Sequence, residues 1–114
     1  MRTIIAGSRS ATLADLNAAM LECPWRDKIT LVISGCARGA DLHGENWASL
    51  HQIPIERYPA NWKKYGKSAG FIRNEQMAQV ADALIAIWDG ESRGTANMIN
   101  HTEKLNLPVH IHYF

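Results

Sequence analysis

The sequence is poor in most of the features that mark a special class of protein. It has two cysteines, Cys23 and Cys36, in neither a metal-ligand spacing nor a Cys-x-x-Cys pair. That excludes a disulfide scaffold and reads as two reduced thiols in a cytoplasmic protein. Neither sign of charge dominates: 12 Lys and Arg stand against 11 Asp and Glu, a formal net charge of +1. No broad field therefore draws the chain to nucleic acid or to an anionic membrane. No apolar run approaches the ~20 residues that span a bilayer. Met1-Arg2 leads directly into an apolar run, without the pattern of a signal peptide. Repeats and low-complexity segments are absent. The five histidines are scattered. His110 and His112 share a strand face, but no third ligand can be placed, so no metal is expected. Ser8, Ser34 and Ser92 lack the setting of a nucleophile elbow. There is no complete Walker A loop and no dinucleotide fingerprint, which disfavours ATP hydrolysis and nicotinamide chemistry. No cofactor is expected.

What remains is an ordinary globular composition, 46% apolar and 20% charged, over 114 residues. That amounts to one domain over 1–114. Short apolar runs alternate with helical periodicity. Strands are expected at 3–6, 30–34, 53–58, 83–88 and 109–113. Helices are expected at 12–22, 40–51, 69–81 and 95–105. Thr12 or Ser10 would cap the first helix. In the last helix Met98, Ile99, Thr102 and Leu105 would face the core. Pro54 places the third strand at an edge or begins it. The order βαβαβαβαβ implies an α/β, Rossmann-like three-layer sandwich with a parallel sheet. With right-handed crossovers, the simplest strand order is 3-2-1-4-5. Ligands in such sheets bind beyond the carboxyl ends of the strands, where the order reverses.

The segments that reach this edge share one chemistry. Gly7-Ser8-Arg9-Ser10 follows the first strand. Ser34-Gly35-Cys36-Ala37-Arg38-Gly39-Ala40-Asp41 follows the second, and Asp89-Gly90-Glu91-Ser92-Arg93-Gly94-Thr95 follows the fourth. Each combines glycine, a small hydroxyl and arginine. Glycine admits close backbone approach, helix N-termini attract anions, and the arginine fork matches phosphate. The pattern points to a phosphorylated small molecule. Phosphate would sit on Gly7, Ser8, Gly94 and Thr95 at two helix N-termini. Arg9, Arg38, Arg73 and Arg93 would supply charge. Gly35, Gly39 and Asp41 would form a second wall, with Asp41 accepting a ribose hydroxyl. Asp89 and Ser92 belong to the same edge. The connection from Pro59 to Gly70 is long, polar and rich in aromatic and basic residues, as functional loops are. Its Trp62 would stack on a base or close over it, and Arg73-Asn74 would face the crevice from the third helix. Asp41, Glu45, Glu75, Asp89 and Glu91 are the carboxylates near the edge. No pair among them stands out as an acid/base dyad.

These residues carry a resemblance. The chain resembles the YspA-type, cpYpsA-related branch of the SLOG superfamily, from Met1 to about Val109. The likeness is carried by Gly7-Ser8-Arg9, by 34–41, by the stretch from Pro59 through 66–70 to Arg73-Asn74 and Met77, and by Ser92-Arg93-Gly94-Thr95. The resemblance implies a site for nucleotides or nucleotide-derived signals. The superfamily holds sensors that only bind such ligands. It also holds LONELY GUY-type phosphoribohydrolases, which cut the N-glycosidic bond of nucleoside monophosphates. Those enzymes carry Pro-Gly-Gly-x-Gly-Thr-x-x-Glu after the fourth strand. Here Gly94-Thr95 stand in the motif, Met98 takes the place of the glutamate, and Arg73 matches the enzymes' arginine. The resemblance therefore implies a binding module first, a nucleotide N-glycosidase second and a protein-interaction domain third. It also implies self-association through helix faces, and a homodimer or homotetramer carrying Trp47 and Met98 at the contact is the expectation.

Overall fold

A computed structural model describes residues 1–114. Five strands form one sheet: β1 (Arg2–Gly7), β2 (Leu31–Ser34), β3 (Ile55–Arg57), β4 (Ala83–Trp88) and β5 (Val109–Tyr113). All pairings are parallel and the order is β3-β2-β1-β4-β5. This is the Rossmann-like α/β arrangement read from the sequence, with the reversal between β1 and β4. The helices are α1 (Leu13–Glu22), α2 (Ala40–Leu50), α3 (Trp62–Tyr65), α4 (Ala69–Val80) and α5 (Arg93–Lys104).

Strand alternation divides the core into two layers. Ile5, Val32, Ile85 and Ile87 pack against Leu16, Ala19 and Met20 of α1 and Ala40, Trp47 and Ala48 of α2. Ile4, Ala6, Ile33, Leu84 and Ala86 pack against Met77 and Ala78 of α4 and Met98 and Ile99 of α5. Both faces of the central strands are covered, which explains their continuous apolar runs. Gly44 lets α2 lie close on the sheet: a Cβ there would meet Ile5 Cγ2 at 2.6 Å.

Some elements depart from the periodicity. The third strand shrinks from 53–58 to Ile55–Arg57. Pro54 has no N–H to donate and joins the sheet only through its carbonyl, which accepts from Val32 N–H at 3.0 Å. The strand does lie at the edge, as Pro54 indicated. The connection after β3 is not a plain loop. Its 62–68 portion winds into α3 and a 3₁₀ turn that runs into α4. Thr12, not Ser10, caps α1. The last helix starts at Arg93, because Ser92 Oγ accepts from Thr95 N–H at 3.4 Å and so caps it two residues early. Leu105 is not in the core; it follows α5 and is 47% exposed. Trp47 and Met98 are themselves buried, so neither offers a surface for self-association. No helix is long and apolar enough to cross a membrane.

Candidate functional site

The strands end together at one edge, and two adjoining clefts open there. The narrower, about 110 Å³, runs between Gly7, Arg9 and Asp41 on one side and Arg73, Ser92, Gly94 and Thr95 on the other. The wider, about 310 Å³, is walled by Gly35, Cys36, Arg38, Pro59, Ala60 and Trp62. Arg9, Ala37 and Arg73 line both. The connections after β1, β2, β3 and β4 all contribute. A larger groove, about 760 Å³, lies at the opposite end of the sheet between α1 and α2. Its cation, Arg26, is 3.5 Å from Asp27. The clefts at the strand ends differ in holding cations that make no ion pair.

Arg73 reaches the clefts from the second turn of α4. Its Nη1 donates to the Gly35 carbonyl, and its Nε donates to Asn74 Oδ1 at 3.0 Å. These bonds aim the guanidinium inward and leave Nη2 with no hydrogen bond within the chain. Burial holds its pKa below the ordinary arginine value; Asp41 opposes that shift and Arg9 adds to it. Arg9 and Arg38 are exposed and take part in none of the chain's ion pairs. Arg9 and Arg73 repel each other at the cleft they share, a repulsion that an anion between them would relieve.

Asp41 lies in the first turn of α2 and is 5% exposed. Its Oδ2 accepts from Ala37 N–H at 3.2 Å. Burial pushes its pKa up from 3.8 to about 6, against the Ala37 hydrogen bond and the nearby Arg73. Asp41 and Arg73 make no direct ion pair, and Gly35 lies between them. A Cβ on Gly35 would stand 2.8 Å from both Arg73 Nη1 and Asp41 Oδ2. Glu45, one turn along α2, is committed elsewhere: Ser34 Oγ donates to it at 2.7 Å and Arg57 Nε at 2.8 Å.

The other predicted residues divide by what their polar atoms already do. Gly7 lines the narrow cleft, and a Cβ there would run into the Ile87 carbonyl. Ser8 is buried and structural: its Oγ accepts from Asp89 N–H at 3.0 Å, and its carbonyl accepts from Ala11 and Ala40. Gly39 lines neither cleft. It turns the chain into α2 with φ +73°, and a Cβ would strike the carbonyls of Ser8 and Arg9. Asp89 also lies outside the clefts. It accepts from Ser92 N–H at 2.8 Å and Glu91 N–H at 2.9 Å, and these bonds hold its carboxyl below the usual range. Arg93 is exposed and lines neither cleft. Asn74 borders the narrow cleft, yet its amide donates to Gly94 O at 3.1 Å and Asn97 Oδ1 at 3.0 Å, tying α4 to α5. Thr95 is buried and donates to Ser92 Oγ at 3.1 Å. Trp62 stands 55% exposed at the mouth of the wider cleft.

Placing phosphate at the α1 N-terminus needs correction. Gly7 and Ser8 precede that helix by a full loop, and its end is closed by Thr12 and Asp15 in a reciprocal capping box. The helix starts that border the narrow cleft are those of α2 and α5. Gly66-Lys67-Ser68 joins α3 to α4 rather than following a strand, so it is no phosphate loop of the P-loop kind. Asn97, which orients Asn74, escaped the sequence reading, and Met77 entered it only through the resemblance, not as the residue that with Met98 floors the narrow cleft. Both look like ordinary helix positions until the helices are packed.

The chain is thus an α/β domain of the Rossmann-like class, with a cation-lined crevice at the reversal of its parallel sheet. The chain belongs to the YspA, cpYpsA-related SLOG family, whose model matches residues 1–65. It is also 35% identical over 85 residues to the Gene 61 protein of Mycobacterium phage D29, covering 69% of this chain and 68% of that one. No solved structure matches the chain.

Proposed function

We propose that the protein binds a nucleotide or nucleotide-derived small molecule in these adjoining clefts, as a sensor or sequestering module. The observation that carries this reading is the convergence of Arg9, Arg38 and the free Nη2 of Arg73 on clefts bordered by two helix starts. Phosphate fits the narrow cleft between Arg9, Arg73 and the first turn of α5. Ribose and base fit the wider cleft, against Pro59 and Trp62. Together the clefts have the size of small-ligand sites. Two charge-assisted hydrogen bonds at roughly 1.5–3 kcal/mol each, an anion at a helix start at roughly 0.3–2 kcal/mol and a stacked base approach the roughly −8 kcal/mol of a micromolar complex. SLOG membership supports the nucleotide class.

A second reading, N-glycosidic hydrolysis, is favoured by one observation. Asp41 lines the same narrow cleft as Met98, so the cleft in which methionine replaces the enzymes' glutamate still holds a carboxyl group. The two readings separate in one experiment. The protein is equilibrated with nucleotides, cyclic nucleotides and ADP-ribose, and bound and free fractions are read by mass spectrometry. The expected result is one compound enriched intact on the protein, and lost with Arg9→Ala. Free base or ribose phosphate accumulating with time would favour hydrolysis. The absence of both enrichment and product at millimolar concentration would overturn both readings.

A further inference from the structure

The narrow cleft presents a conflict of charge. Its cations invite a phosphate, yet its wall includes the carboxyl of Asp41, which is almost wholly buried. Two anions in one desolvated cleft cannot both stay fully ionised. No group lining the cleft removes the conflict by pairing with the carboxylate. Arg73 from α4 faces Asp41 across Gly35 but spends Nη1 and Nε on Gly35 and Asn74. Arg9, from the loop after β1, lines the same cleft without touching the carboxylate. Glu45 on α2 adds negative charge beside it, the Cys36 thiol in the loop after β2 is pushed up by burial and stays neutral, and Arg57 on β3 is already paired with Glu45. From α5 only the neutral Ser92, Gly94, Thr95 and Met98 reach the cleft.

We infer that the cleft takes up one proton with its phosphate-bearing ligand and that this proton resides between the phosphate and the Asp41 carboxyl. As a neutral acid, Asp41 becomes a hydrogen-bond donor to the phosphate, and a repulsion turns into a contact. Burial has already brought this carboxyl to about 6, so a nearby anion has only a short way to move it through neutrality. The inference rests on the proposed binding of phosphate in this cleft. It adds a regulation of that site: affinity rises as pH falls.

The test uses probes whose charge is constant between pH 5.5 and 8, namely sulfate and ADP-ribose, so that any proton uptake belongs to the protein. Titration calorimetry at pH 7 in two buffers of different ionisation heat is expected to show uptake of about half a proton or more. Affinity is expected to be at least roughly ten-fold tighter at pH 6 than at pH 8. Asp41→Asn keeps the acceptor for Ala37 N–H and mimics the neutral acid. It is expected to bind at pH 8 about as tightly as the native protein does at pH 6, and to lose the slope. Should that variant not fold, carbon NMR of the native Asp41 carboxyl decides, with its midpoint expected to rise on adding sulfate. Binding without proton uptake, a slope retained in Asp41→Asn, or an unmoved midpoint would overturn the inference while leaving phosphate binding intact. Failure of both probes to bind at either pH would overturn the phosphate reading and this inference with it.

Discussion

Burial of the Asp41 carboxyl has a cost in folding as well as a use in the site. Its folded value, about 6, lies above its ordinary 3.8. Between those values the folded chain holds a proton that the unfolded chain has lost. Stability from this group therefore falls as pH rises through that window, by up to about 3 kcal/mol at neutral pH. Asp41→Asn is expected to raise the unfolding free energy at pH 7 by about 1–3 kcal/mol, with the gain fading below pH 4. Denaturant titrations at the two pH values check this. Several site residues were legible in sequence because glycine, arginine and a first-turn acid follow strands. Arg9, Gly35, Arg38, Asp41, Trp62 and Arg73 all reach the clefts. Ser8, Asp89 and Asn74 share that legibility, but their polar atoms serve their own loops and helices. Side-chain partners depend on which elements end up adjacent, and composition carries no record of that.

Among the elements, the starts of α1 and α5 differ in where they lie: only that of α5 borders a cleft. The α1 start is closed by Thr12 and Asp15, whose mutual bonds satisfy its exposed N–H groups. Thr12→Ala is expected to cost about 1 kcal/mol of stability. Ligand affinity should be unchanged, since neither residue borders a cleft; denaturant melts and the binding assay read the two effects separately. At the α5 start Gly94 borders the narrow cleft, and a Cβ there would meet nothing within 4 Å. Sequence periodicity located the main helices and strands because both core layers repeat cleanly. It failed where local hydrogen bonding overrode the pattern: at Pro54, which has no N–H to donate, at the Ser92 side-chain cap and in the helical turns of 62–68.

At the scale of the molecule, the clefts join segments from both halves of the sheet. Arg9, Arg38 and Asp41 come from the β1–β2 side, while Arg73, Gly94 and Thr95 come from elements on the opposite face. A ligand bridging them adds to the free energy of the whole fold. At a hundred times its dissociation constant the gain is about 2.7 kcal/mol, roughly a 10 °C rise in melting temperature for a domain of this size. ADP-ribose is expected to produce such a shift, larger at pH 6 than at pH 8, in a thermal melt. Arg73→Ala should abolish the shift by removing the guanidinium common to both clefts.

The sequence alone determined the alternation of strands and helices, and with it the parallel sheet, its order and the edge where a ligand can bind. Periodicity and crossover handedness are local or nearly local properties, and they leave few other arrangements. Tertiary structure decided which of the residues at that edge are free to act. Asp41 is buried because α2 packs on the sheet, and Arg73 is aimed because Gly35 and Asn74 hold it. The effect of a desolvated acid and nearby cations on one another depends on dielectric and distance, and both exist only once the layers have closed.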